Sequence, residues 1–158
     1  MPGFVIHLAI AKKYIEKNKI KNEEQFNNGV IEPDLIKSNE YDTHFGFKTE
    51  KPNIEEFFKK YSEDSDYNKG YLLHLITDYL FYKKFLRNWS QEIYNDYDIL
   101  NKRLVDKYKI IIPKSVENIV KYKDGETKIL SYEDANKFID SLEGIDLKKF
   151  IKKYINWL

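Results

Sequence analysis

The stretch GYLLHLITDYLF, residues 70–81, decides how this chain is read. Tyr71, Leu72, Leu73, Leu75, Ile76, Tyr79, Leu80 and Phe81 cover nearly the whole circumference of a helix, and a helix that is apolar all round is a buried one. At 3.6 residues per turn, His74 and Asp78 then stand one above the other on a single face. The pair is expected inside the protein, where even a neutral polar group without a partner costs on the order of 2–7 kcal/mol. Something must compensate the carboxylate. An i,i+4 hydrogen bond to the imidazole is one answer. A divalent cation is another, because neutral imidazole and carboxylate suit Zn²⁺, Fe²⁺ or Mn²⁺.

Working outward, the periodicity stays helical. Phe4, Leu8, Ala11 and Ile15 mark a first helix as far as about Asn18. A short helical piece over residues 22–26 is predicted to end at the turn signal Asn28-Gly29. Residues 30–52, with Pro33 and Gly46, read as a long irregular loop, a kind of segment that is often functional. Asn53 caps a short helix, with Glu56 in the capping-box position and Phe57 and Phe58 turned inward. The helix of His74 is expected over residues 65–89, and others over 99–108, 115–122 and from Ser131 to a stop at Gly144. Asp146 caps a last helix whose Leu147, Phe150, Ile151, Tyr154, Ile155 and Leu158 form one stripe. Short strands are expected, if anywhere, in the His44 loop and near residues 127–130. The fold predicted is all-α, a single-domain multi-helix bundle over residues 1–158. Residues 1–90 carry the candidate site and 91–158 form a helical remainder.

Composition narrows the function classes. A chain of 158 residues is expected to form one domain. It has no cysteine, which excludes disulfides, thiolate zinc sites and cysteine nucleophiles. No run approaches the roughly 20 apolar residues of a membrane span. The segment MPGFVIHLAIAKKYIEKN lacks basic residues ahead of its apolar stretch and lacks a small-residue cleavage site, so it predicts a structural helix of a cytoplasmic protein rather than a signal peptide. A net charge of +1 gives no overall footprint for nucleic acid. Arginine occurs only at Arg87 and Arg103, a poor supply of bidentate phosphate grips. Lysine runs such as Lys148-Lys149 read as solvated helix faces.

The three histidines have informative surroundings. His7 lies on the first helix with the small Ala11 on its face. His44 lies in the loop, in THFG, and His74 has Gly70 one turn before it on the same face. Pro33 stiffens the approach to Asp34. Taken singly, each has an ordinary reading: a histidine packed in the core, an i,i+4 hydrogen bond, a turn aspartate after proline.

Taken in order, they resemble a family. H-L-x-x-A (His7, Leu8, Ala11), G-x-x-x-P-D (Gly29, Pro33, Asp34), H-F-G (His44, Phe45, Gly46) and G-Y-x-x-H-x-x-x-D (Gly70, Tyr71, His74, Asp78) are similar to the zinc-dependent phospholipase C family. That family is all-α and shares its fold with fungal single-strand nucleases. The resemblance covers roughly residues 1–85. It implies that Asp34, His44, His74 and Asp78 surround one metal, and that His7 and Asp78 contribute to a neighbouring one with Asp78 bridging. The secreted enzymes carry a further His-His-Glu set, and this chain has no histidine after His74. They also complete a metal with the amino group of a processed N-terminus. The expectation is therefore one zinc, with at most a second, weaker ion, and Fe or Mn as the other candidate metals.

The function this implies is a metal-dependent phosphoester hydrolase acting on a phospholipid or a soluble phosphoester. Asp34 is the candidate to orient or deprotonate the attacking water, and Tyr41, Phe45 and Phe47 are candidates to wall a pocket or to plug the core under the loop. A non-catalytic or degenerate metal-binding helical protein is the alternative. An HD-type phosphohydrolase ranks lower because it needs an adjacent His-Asp dipeptide, whereas His44 precedes Phe45 and His74 precedes Leu75.

Overall fold

A computed structural model describes residues 3–36, 39–47 and 50–149. The described chain is all-α. It consists of α1 (Phe4–Lys17), α2 (Glu23–Leu35), α3 (Glu40–Thr43), α4 (Ile54–Lys60), α5 (Asp66–Tyr79) with a π-helical continuation (Leu80–Phe85), α6 (Ile93–Tyr108) and α7 (Tyr132–Ser141). There is no strand among the described residues, neither in the His44 loop nor near residues 127–130. No described helix is long and apolar enough to cross a membrane. The buried apolar side chains of α1, α2, α5, α6 and α7 belong to one core.

Several helices start where local chemistry says they should. The side chains of Asn53, Ser65 and Ser131 accept hydrogen bonds from the backbone N–H of Glu56, Asn68 and Asp134, which satisfies otherwise orphaned donors of each first turn. Asn22 does the same for Gln25 at the start of α2.

The course of α2 departs from expectation. It runs straight through Asn28-Gly29 and past Pro33, so Asp34 belongs to its last turn and not to a loop. The reason is tertiary. A Cβ on Gly29 would meet the Tyr67 carbonyl oxygen at 2.0 Å, and one on Gly70 would meet the Phe26 carbonyl oxygen at 2.0 Å. The two glycines let the backbones of α2 and α5 touch, and the packing between them holds the Asn-Gly pair helical. Pro33 comes late enough that its missing N–H removes only one bond near the helix end. At Gly70, one turn before His74, the place of a side chain is thus taken by α2 itself.

Other boundaries move as well. The helix of His74 ends at Phe85, four residues before Trp89, in a π turn closed by Leu86 N–H to the Phe81 carbonyl at 2.7 Å. The next helix begins at Ile93, six residues before Ile99, and buries Ile93, Tyr97, Leu100 and Leu104 along one stripe. Residues 115–122 form no helix: 114–119 are turns and 120–122 are irregular, with Val116 and Val120 buried. The helix from Ser131 stops at Ser141 and reaches Gly144 only through a turn. Residues 128–130 are held by a side chain: buried Asp96 accepts the backbone N–H groups of Lys128, Ile129 and Leu130 at 2.9, 2.6 and 2.8 Å. Asp146 does cap a final turn, accepting from Lys148 N–H, while Phe150, Ile151, Tyr154, Ile155 and Leu158 lie outside the described residues.

Candidate metal centre

The α2–α5 crossing brings the two helices' functional side chains together. Asp34 lies five residues beyond Gly29, and His74 lies four beyond Gly70. α1 supplies His7, whose ring stacks on that of His74 at a centroid distance of 3.8 Å and an interplanar angle of 7°. His44 arrives from the turn after α3. Phe45 and Gly46 take positive φ there (53° and 135°), and the Asn53 N–H closes the turn onto the Phe45 carbonyl at 2.8 Å. The Tyr71 hydroxyl donates to the Thr43 carbonyl at 2.6 Å and ties this turn to α5.

All five residues singled out in the sequence converge. His44 Nε2 lies 3.1 Å from Asp34 Oδ1, 3.3 Å from Asp78 Oδ2 and 3.3 Å from His74 Nε2. His74 Nε2 lies 3.2 Å from Asp78 Oδ2 and 3.4 Å from Asp34 Oδ2. On the other side, His7 Nε2 lies 3.0 Å from Asp78 Oδ1. Asp78 therefore turns one oxygen toward His7 and the other toward His44 and His74. These side chains are no more than 3% exposed. Asp34 has a partly exposed backbone, but its carboxylate is as buried as the rest.

Hydrogen bonds join His44 Nε2 to Asp34 Oδ1 and to His74 Nε2, but they leave other polar atoms of the cluster unsatisfied. His7 Nε2, both Asp78 oxygens and Asp34 Oδ2 are buried without a hydrogen-bond partner, although each lies close to an oppositely polarised atom. Their lone pairs converge instead of pairing. Ligands about 2.0–2.1 Å from a tetrahedral zinc stand about 3.3 Å from one another, which is the spacing seen here. Two groups, His7-His74-Asp78 and Asp34-His44-His74, can each hold a metal ion, with His74 common to both. The charge arithmetic agrees. Two carboxylates and one dication sum to zero, which is what a buried site tolerates.

The imidazoles are oriented from behind. His74 Nδ1 donates to the Val30 carbonyl at 2.6 Å, which leaves a lone pair on Nε2 facing the cluster. His44 Nδ1 lies 2.9 Å from Thr43 Oγ1. Protonation follows the surroundings. Burial and the charge of His74 lower the His7 pKa to about 4. Burial opposes charge on His44 too, but the Asp34 hydrogen bond and the Asp78 carboxylate outweigh it and raise its pKa to about 9. For Asp78, burial acts against the charged form, yet His74 and His7 hold the carboxyl well below its ordinary value; Asp34 is lowered in the same way, chiefly by His74 and His44. Without a metal, the proton on His44 balances part of the carboxylate charge.

Sequence reasoning missed three supports of the cluster: the Val30 carbonyl, Thr43 and the tie from the Tyr71 hydroxyl. Tyr97 on α6 is buried, its ring lies against Gly3 one turn before His7, and its hydroxyl has no hydrogen-bond partner. Burial first, then the Asp78 charge, pushes its pKa far up. Its spacing within the apolar stripe of α6 marks it only as core. Of the candidate pocket walls, Phe45 is a core plug against Phe57, Tyr61 and Tyr71, while Tyr41 and Phe47 are exposed and touch each other edge to face. No family model, curated protein or solved structure matches the chain.

Proposed function

We propose that this protein is a metal-dependent phosphoester hydrolase in which Asp34, His44, His74 and Asp78 hold one divalent ion, zinc by preference. His7 and the second Asp78 oxygen offer a weaker neighbouring position. The observation that carries the reading is the convergence of buried, partnerless carboxylate oxygens on imidazole lone pairs. The ordered resemblance of the motifs at residues 7–78 to zinc-dependent phospholipase C supports the choice of reaction. A bound ion would polarise a phosphoryl oxygen and lower the pKa of water toward about 7. Rigid α5 fixes His74 and Asp78, the Val30 carbonyl fixes the His74 tautomer, and Asp34 at the end of α2 orients the water or takes its proton.

A second reading is favoured by a specific observation. The cluster side chains are at most 3% exposed, whereas a catalytic ion keeps a position open to exchange. The ion would then be structural, stapling α1, α2 and α5. The two are separated by assaying the loaded protein on a panel of phosphodiesters and phosphomonoesters, including phospholipid vesicles, beside Asp34→Asn. Turnover by wild type that falls at least 100-fold in the variant at equal metal content supports the hydrolase. Loaded wild type that turns over nothing leaves the staple.

A further inference from the structure

The π turn (Leu80–Phe85) and residues 128–130 line a common cavity of about 810 Å³, and none of the five cluster residues borders it. Both walls depart from regular structure, and both are held in place. A π turn is a rare element that is frequently found at functional sites. This one is closed by the Leu86 N–H on the Phe81 carbonyl at 2.7 Å. Residues 128–130 belong to no helix, yet the buried Asp96 carboxylate accepts all three of their backbone N–H groups. Burying a carboxylate is costly, and here it secures a wall of fixed shape.

The charge on these walls is largely unmatched. Lys83, Lys84 and Arg87 line the cavity, are exposed, and form no ion pair among the described residues. Lys128, also in the lining, lies 3.5 Å from Glu92, and Asp134 is the one acid among the described lining residues. One short segment thus sets three free cations around one space. Of the two arginines, Arg103 is stacked on the Tyr132 ring at 3.6 Å, which leaves Arg87 as the guanidinium able to fork onto an oxyanion. Half-buried Leu86 and Ile129 add an apolar surface to the same cavity.

We propose that this cavity binds a small ligand carrying a diphosphate group, at a site separate from the metal centre. A phosphoryl group carries about 1.5 to 2 negative charges at neutral pH, so two of them roughly balance Lys83, Lys84 and Arg87. Arg87 takes two oxygens of one phosphate as a fork, and the lysines act as point charges on the other. The organic part of such a ligand rests on Leu86 and Ile129.

The test is calorimetric titration of the full chain with pyrophosphate, ADP and adenosine, each at low and high salt. Arg87→Gln and the pair Lys83→Gln/Lys84→Gln are compared with Lys114→Gln/Lys121→Gln, an equal loss of exposed charge away from the cavity. Wild type should bind pyrophosphate and ADP, more weakly at high salt, and should not bind adenosine. ADP binding more tightly than pyrophosphate identifies an organic diphosphate, and equal binding identifies the bare diphosphate; either supports the assignment. Each cavity variant should bind at least about tenfold more weakly, because a hydrogen bond to a charged group is lost. The variant remote from the cavity should match wild type, and all should melt with wild type because the substituted side chains are exposed. Asp78→Asn should bind the probes as wild type does. Cavity variants that keep full affinity overturn the assignment, as does a remote variant that loses as much as they do. Wild type that takes up neither diphosphate probe, or that takes up adenosine as well as ADP, also overturns it. Diphosphate binding lost in Asp78→Asn but kept in the cavity variants overturns it too, and would move the anion to the metal centre.

Discussion

Gly29 and Gly70 face one another where α2 crosses α5, and each would drive a Cβ to within 2.0 Å of a carbonyl oxygen on the other helix. This contact sets the distance between Asp34 and His74. Gly29→Ala or Gly70→Ala has no flexible side chain to displace, so the backbones must separate. Each substitution should lower stability in urea unfolding by about 3 kcal/mol or more and weaken metal binding in parallel. Gly144, with nothing within 4 Å of its would-be Cβ and φ of +81°, should lose only about 1 kcal/mol on replacement by Ala. Equal losses at all three positions would contradict the crossing as the organising contact.

The same glycines show what local sequence conveys and what it does not. The starts at Asn53 and Ser131 were legible because a side-chain oxygen and an N–H three residues on are a local pair. The all-α class followed from periodicity. Asn28-Gly29 read as a turn because its local preference is a turn, whereas its helical state depends on α5, about forty residues away. That error moved Asp34 from helix to loop. His7, Asp34, His44, His74 and Asp78 were legible because buried imidazole and carboxylate are chemically conspicuous in an apolar setting. The Val30 carbonyl and Thr43 were not, since nothing local shows which buried backbone oxygen or hydroxyl an imidazole will meet.

Metal binding should be coupled to proton release. His44 has its pKa raised to about 9 without metal, so at pH 7 it carries a proton that a ligand imidazole cannot keep. Calorimetry in buffers of different ionisation enthalpy should report about one proton released per ion near pH 7, and affinity should fall as pH is lowered. Binding without proton release would show that His44 is not a ligand.

Stability of the chelated protein should peak near pH 6.5 and decline on both sides. The raised pKa of His44 gives a contribution that is complete below 6.5 and is lost as pH rises through about 9. The lowered pKa of His7 gives one that is complete above 6.5 and is lost as pH falls through about 4. Thermal melts from pH 4 to 9 in the presence of chelator check both limbs, and a flat profile would contradict the charge assignment.

Asp96 provides a control away from the cluster. It accepts three backbone N–H groups from residues 128–130, so Asp96→Ala orphans three donors at once. A loss of about 3 kcal/mol or more in stability is expected, with metal content unchanged, from denaturant melts and elemental analysis of one preparation.

The most direct measurement is metal content. Protein purified without a metal-affinity tag, dialysed with zinc and then freed of excess, is analysed for bound metal beside Asp78→Asn. The account predicts about one tightly held ion per chain in wild type and little or none in the variant. It also predicts a melting temperature that chelator lowers in wild type and leaves unmoved in Asp78→Asn. Wild type that retains no metal, or a variant that retains as much, would contradict the centre built by His7, Asp34, His44, His74 and Asp78.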